Sequence, residues 1–173
     1  MLKTNFLKQN IKQNKLSLGI WNTLASPMVT EVLAAAGLDF IFIDLEHGPF
    51  DINNLHLYID KCENNSCSPI VRLPAKNDWL ILQALDQGAH GIIIPQVSDA
   101  KETRDIVQAV KYFPKGKRGF TPFTKAGGFN NFNTKKYYEA ANNLTLTGII
   151  IEDLHGIENL DEILKIEELD IIY

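Results

Sequence analysis

The chain has 173 residues, 45% of them hydrophobic and 22% charged, with a formal net charge of −4, the profile of a globular domain able to bury one sizeable core. Lys and Arg are scattered among acidic residues, which argues against the basic footprint of a nucleic-acid binder, and no apolar stretch approaches the ~20 residues that span a bilayer. The polar, basic start MLKTNFLKQNIKQNKLSLG lacks the apolar centre of a signal peptide, so a cytoplasmic single domain over residues 1–173, working on small molecules, is expected.

In chain order, apolar runs at Leu18–Trp21, Phe40–Ile43, Ile70–Leu73, Gly91–Ile94 and Gly148–Ile151 read as strands, and the segments between them carry helical periodicity. PMVTEVLAAAG reads as a helix with Ser26 as cap, Pro27 at its first position and Gly37 past its end. Residues 52–62 follow Asp51 as the next cap, the segment from Asn77 ends at Gly88, and DAKETRDIVQAVKYF runs from Ser98 towards Pro114. Cys62 and Cys67, with no second Cys pair and no metal-type His spacing nearby, read as reduced structural thiols. The strands lack a polar face of period two, so the β-α-β-α order predicts a parallel sheet covered by helices. Residues 114–143 form the longest interruption, with a short helix expected over Lys135–Ala141; interruptions of that length are commonly functional. After the helix-like NLDEILKIEEL, LDIIY opens a sixth strand.

Chemistry collects where strands end. In parallel α/β folds the loops leaving the C-terminal strand ends converge on the ligand site. That end carries Trp21, then Asp44, Glu46 and His47, then Arg72, then Pro95-Gln96, and finally Glu152-Asp153. Asp44 and Glu46 each fit a helix cap as well as acid–base work. His47 fits a structural histidine or a general base oriented by a carboxylate. The guanidinium of Arg72, ending an apolar segment, needs an anion, either from the protein or from a substrate. Trp21 taken alone fits the core, and Asp86 fits a solvated surface. Glu152 suits a hard divalent cation, which takes oxygen ligands, but one carboxylate does not make a site.

An ordered set of motifs runs through nearly the whole chain: G-I-W at 19–21, I-D-L-E-H-G-P at 43–49, V-R-L-P at 71–74, Q-A-L-D-Q-G-A at 83–89, I-I-I-P-Q-V at 92–97, Y-F-P-K-G-K-R-G at 112–119 and I-I-I-E-D at 149–153. In these the chain resembles the HpcH/HpaI aldolase family, which includes metal-dependent class II aldolases. The resemblance implies a partial (β/α)8 TIM barrel, comprising about five βα units and the start of strand six, and assembly into trimers or hexamers. It implies His47 as acid–base residue, Asp44 as its partner and Arg72 as the pyruvate-binding group. Asp86 is expected to join them as a catalytic residue, and Trp21, Gln96 and Arg118 to touch substrate, with Gly119 in the same loop as Arg118. Glu152 is expected to ligate Mg²⁺, Mn²⁺ or Co²⁺, with a second ligand, an Asp, expected beyond Tyr173.

The implied reaction is retro-aldol cleavage of a 4-hydroxy-2-oxo acid to pyruvate and an aldehyde. The alternatives are a citrate lyase β-type or malyl-CoA-type lyase acting on a CoA thioester, and a non-catalytic binding or assembly protein built on a truncated barrel.

Overall fold

The computed structural model describes residues 3–129 and 134–173; of the long connection expected over 114–143, residues 130–133 lie outside the described residues. Six parallel strands are hydrogen-bonded in sequence order: β1 (Gly19–Asn22), β2 (Phe40–Asp44), β3 (Ser68–Arg72), β4 (Gly91–Ile94), β5 (Leu146–Ile149) and β6 (Ile171–Ile172). Adjacent strands lie about 4.8 Å apart, so a flat sheet would separate β1 from β6 by roughly 24 Å. Yet the ring of Trp21 in β1 packs edge-on against Tyr173, just past β6, with centroids 5.5 Å apart. The sheet therefore curls into a half-barrel, as expected of a partial TIM barrel.

Alternation along the strands sorts the side chains. Ile41, Ile43, Val71, Ile92, Ile94 and Ile149 point outward into a core shared with the covering helices. Phe42, Ile70, Ile93 and Leu146 point inward and pack with Trp21, Phe40 and Ile171. Direct register partners carry this inner layer across the sheet, Trp21 beside Phe42 and Phe42 beside Ile70.

The helices are α2 (Pro27–Ala35), α3 (Leu55–Asn64, after a 3₁₀ turn at Ile52–Asn54), α4 (Asp78–Asp86), α5 (Ala100–Val110), α6 (Thr134–Leu144), α7 (Leu154–Glu158) and α8 (Leu160–Ile163). Their caps explain their starts: Ser26, Asn77, Asp99 and Asp153 each accept a hydrogen bond from a first-turn N–H. Gly37 ends the first of these segments with φ of 91°, the left-handed geometry that glycine takes without penalty.

Several boundaries differ from the sequence reading, among them β3, which begins two residues earlier than expected, at Ser68. Strand β5 begins two residues earlier than expected, at Leu146, because its register is fixed by pairing with Gly91 and Ile92 of β4. The helical segment after it starts at Leu154, where Asp153 caps it, and breaks at Asn159 into two short helices. A helix without a sequence signal, α1 (Phe6–Lys12), precedes the barrel. Its cap residue Asn5 donates to the carbonyls of His90 at 2.9 Å and Leu144 at 2.7 Å. Leu7 joins the inward-facing apolar cluster, so α1 closes the end of the half-barrel where the strands begin.

Candidate active site

At the opposite end, where the strands finish, the inward alternation that carries Phe40, Phe42 and Ile70 continues to Asp44 and Arg72, which are direct register partners on β2 and β3. They form a paired contact: Arg72 Nε donates to Asp44 Oδ1 at 2.8 Å, and Nη2 makes a short contact with Oδ2. A third donor, Nη1, reaches Glu46 Oε2 at 3.1 Å. The guanidinium carbon lies 4.5 Å over the Trp21 ring, a cation–π contact that fixes its plane. Trp21 in turn stacks on Phe42 with centroids 4.2 Å apart.

Asp44 is 1% exposed. Burial alone would raise its pKa, but the hydrogen bond from Arg72 and the N–H groups of His47 and Glu46 outweigh that and hold the carboxyl below the usual aspartate value. The same hydrogen bond to Asp44 raises the Arg72 pKa against the effect of burial, with the Glu46 and Glu152 charges adding to it. Thus one guanidinium faces three carboxylates. The excess charge among these groups is negative, which favours a cation beside Arg72.

The chain after β2 turns immediately. Asp44 Oδ1 accepts from the N–H of Glu46 at 3.0 Å and of His47 at 3.2 Å, and Gly48 N–H donates to the Asp44 carbonyl at 3.0 Å. A Cβ on Gly48 would lie 2.4 Å from that carbonyl oxygen, so only glycine fits. Asp44 was expected to hold the His47 imidazole. It holds the His47 backbone N–H instead, with both carboxylate oxygens also in contact with Arg72. The imidazole itself is free to reach a ligand: its side chain is 69% exposed and Nε2 lies 3.9 Å from Glu46 Oε2.

Glu152 follows β5, and its Oε2 accepts from the N–H of Gln96 at 2.9 Å. Gln96 presents that N–H through a left-handed backbone, φ 58°, unusual for a residue other than glycine and a mark of a constrained position. As a fit for a divalent cation the set is incomplete: Glu152 offers oxygen of the right chemistry, but among the described residues no group of three or more His, Cys, Asp or Glu side chains could hold a metal ion.

Two of the expected residues lie elsewhere. Helix α4 runs back from the end of β3, so Asp86 at its last position sits at the end where strands begin. Arg118, in the connection after α5, is there too, with Nη2 donating to Asp86 Oδ1 at 2.8 Å and its guanidinium 4.5 Å from the Tyr112 ring. Within one chain neither borders Arg72. Conversely, the Glu46 contact with Arg72 was not anticipated. Its signal was the carboxylate two residues after Asp44, in the turn that leaves β2 on the side of Arg72.

A profile described as HpcH/HpaI aldolase/citrate lyase matches residues 17–173. A hydroxypyruvate/pyruvate aldolase of Roseovarius nubinhibens is 37% identical over 98% of this chain. Among solved structures, an HpcH/HpaI aldolase from Desulfitobacterium hafniense DCB-2 superposes with a TM-score of 0.91 at 28% identity, and the citrate synthase SbnG with 0.86 at 34%; each comparison covers 98% of this chain. The chain spans 66% of the length of the Roseovarius protein and 65% and 64% of the two structures.

Proposed function

Because this chain belongs to the HpcH/HpaI aldolase/citrate lyase family, we propose that it carries the pyruvate-handling part of a carbon–carbon lyase that cleaves a 4-hydroxy-2-oxo acid to pyruvate and an aldehyde. The observation that supports this is Arg72, held by Asp44, Glu46 and the Trp21 face at the inward end of β3.

A guanidinium has five N–H donors, and three are taken, which leaves two for an anionic substrate. On cleavage of the bond between C3 and C4, the electron pair moves towards the C2 oxygen. Arg72 would offset the charge that grows there without reorienting, because its protein partners already fix it. His47, exposed beside it, would take the proton of the C4 hydroxyl as the aldehyde forms, and a proton returned to C3 completes pyruvate. Glu152, oriented by the Gln96 N–H, would supply one oxygen ligand to Mg²⁺, Mn²⁺ or Co²⁺, with further ligands from outside the described set. When bound, such an ion supplies Lewis-acid polarisation of the oxo acid.

The reading includes a cytoplasmic homo-oligomer, a trimer or hexamer. Asp86 and Arg118 lie too far along the barrel to serve Arg72 of their own chain; Asp86 would reach such a site only in a neighbouring copy, while the Arg118 side chain, 3% exposed, stays inside its own chain.

Similarity to a citrate synthase favours a second reading, carbon–carbon chemistry on a citrate-like acid or its thioester. Coupled detection of pyruvate released from 4-hydroxy-2-oxo acids, with each metal and with chelator, tests the first reading. Arg72→Ala is expected to remove most of the rate while metal binding persists, and turnover unchanged in that variant would overturn it. Cleavage or condensation that requires CoA would favour the second.

A further inference from the structure

At the end of the half-barrel closed by α1, away from Arg72 and Glu152, lies a cavity of about 50 Å³ with a partly apolar wall and with Lys3, Glu63, His90, Arg118 and Lys125 also in its lining. One water needs roughly 10–15 Å³ by this kind of measure, so there is room for a small polyatomic ion.

Two of the side chains lining it are buried and short of a partner. His90 is 8% exposed; its Nε2 meets Glu63 Oε1 at 3.2 Å, while Nδ1 has no partner. The Arg118 side chain is 3% exposed; Nη2 is bound to Asp86, while Nε–H has no partner. Buried polar atoms in native folds are almost always satisfied, and leaving a charged donor unmet is costly. Both orphans belong to one cavity, which points to an occupant.

The remaining groups define its chemistry. Glu63 is engaged twice, by His90 and by Lys125 Nζ at 2.7 Å. Lys125 also meets Asp60 at 2.6 Å, and Asp86 meets Arg118. No carboxylate among the described residues pairs with Lys3. The unused capacity is therefore the Arg118 Nε–H, the Lys3 ammonium and His90 Nδ1, which is an acceptor when Nε2–H is directed at Glu63. The two donors call for an acceptor carrying negative charge, and His90 Nδ1 calls for a donor on the same ligand, such as the O–H of hydrogen phosphate or a hydroxyl beside a carboxylate.

We infer that this cavity binds a small oxyanion, inorganic phosphate or a short hydroxycarboxylate, between the Arg118 Nε–H and His90 Nδ1 with Lys3 at its rim. This assigns Arg118 a ligand other than the substrate expected for it, and it is independent of the lyase reading.

The test is titration calorimetry of the 173-residue chain with inorganic phosphate and, separately, with glycolate, repeated on Lys3→Ala and His90→Gln. Saturable binding of either anion is expected, and the tighter of the two identifies the source. Loss of one charge-assisted hydrogen bond corresponds to about tenfold in affinity, so His90→Gln should weaken binding by about that factor and Lys3→Ala by several-fold. Lys3 is exposed, so its variant keeps the test alive if His90→Gln does not fold. Arg72→Ala should bind the anion as wild type does, which separates this site from the one at the other end. No binding to folded wild-type protein would overturn the proposal. So would variants that bind undiminished, or high-resolution density showing only water on Arg118 Nε and His90 Nδ1.

Discussion

The Arg72 charge is held in place because each of its protein contacts constrains a different part of the guanidinium: Asp44 one edge, Glu46 the far amine, Trp21 the face. Lysine keeps the charge but loses the planar fork, so Arg72→Lys should lower kcat/KM by about tenfold or more, measured by steady-state pyruvate release. Asp44 ties stability to the same contact. Removing one partner of a buried pair costs about 3–5 kcal/mol, and Asp44→Asn should lose stability of this order in urea melts at pH 7. The pH dependence follows from the lowered pKa. The Asp44 contribution is complete above the ordinary aspartate value of about 3.9 and is lost as pH falls through the lower folded value. Melts between pH 5 and 2 should show this acid limb in wild type and a smaller one in Asp44→Asn. The residues of this contact were legible in the sequence, but their pairing was not. Asp44 and Arg72 are 28 positions apart, and only strand register makes them neighbours. Without register, the partner given to Asp44 was His47, the one that the family resemblance implies.

At the scale of elements, caps carried most of the sequence information: Ser26, Asn77 and Asp51 start elements as expected because a side-chain oxygen beside a first turn needs no tertiary context. Helix α1 shows the converse. Seven residues are too few to be helical alone, and α1 exists because Asn5, 1% exposed, uses Nδ2 on two distant carbonyls and Oδ1 on Lys8 N–H and the Ser68 hydroxyl. Asn5→Ala should cost about 2–4 kcal/mol, the sum of a lost cap and unmet carbonyls, read as a shift in urea midpoint at unchanged m. Helix direction was legible too, though the motif reading passed over it. A helix returning from the end of β3 must finish at the start of β4, so Asp86 at the close of α4 belongs with His90 rather than with Arg72.

Across the whole molecule, the end closed by α1 is held by charge as well as by packing. Lys111 is fully buried, with Nζ donating to the carbonyls of Asn142 at 3.2 Å and Thr145 at 2.7 Å, and with Glu168 at 3.5 Å. Burial, with Lys8 adding repulsion, pushes its pKa down to about 8 despite Asp170 and Glu168. An unfolded lysine titrates near 10.4, so between about pH 8 and 10.4 the unfolded chain binds more protons than the folded one, and this group makes stability rise with pH. Lys111→Met should flatten that limb in melts from pH 7 to 10.5, and an unchanged slope would show that Lys111 stays charged. The order of the strands was legible from alternating helical and apolar segments, whereas this network was not, since a lysine in the sequence carries no mark of burial.

The ties of α1 also bear on how the chain is made. Strands β1 to β6 each pair with the next in sequence, so they can add one after another as the polypeptide leaves the ribosome. Helix α1 emerges before the strands, yet the groups that hold it come late: the Leu144 carbonyl is 139 residues on from Asn5, and Asp170, 2.9 Å from Lys8, is 162 residues on from that lysine. At ~5–20 residues per second, α1 waits roughly 10–30 s for its last partner. During that time Leu7 and the inward faces of the early strands have no cover at that end, so this interval is when a nascent chain most needs a chaperone.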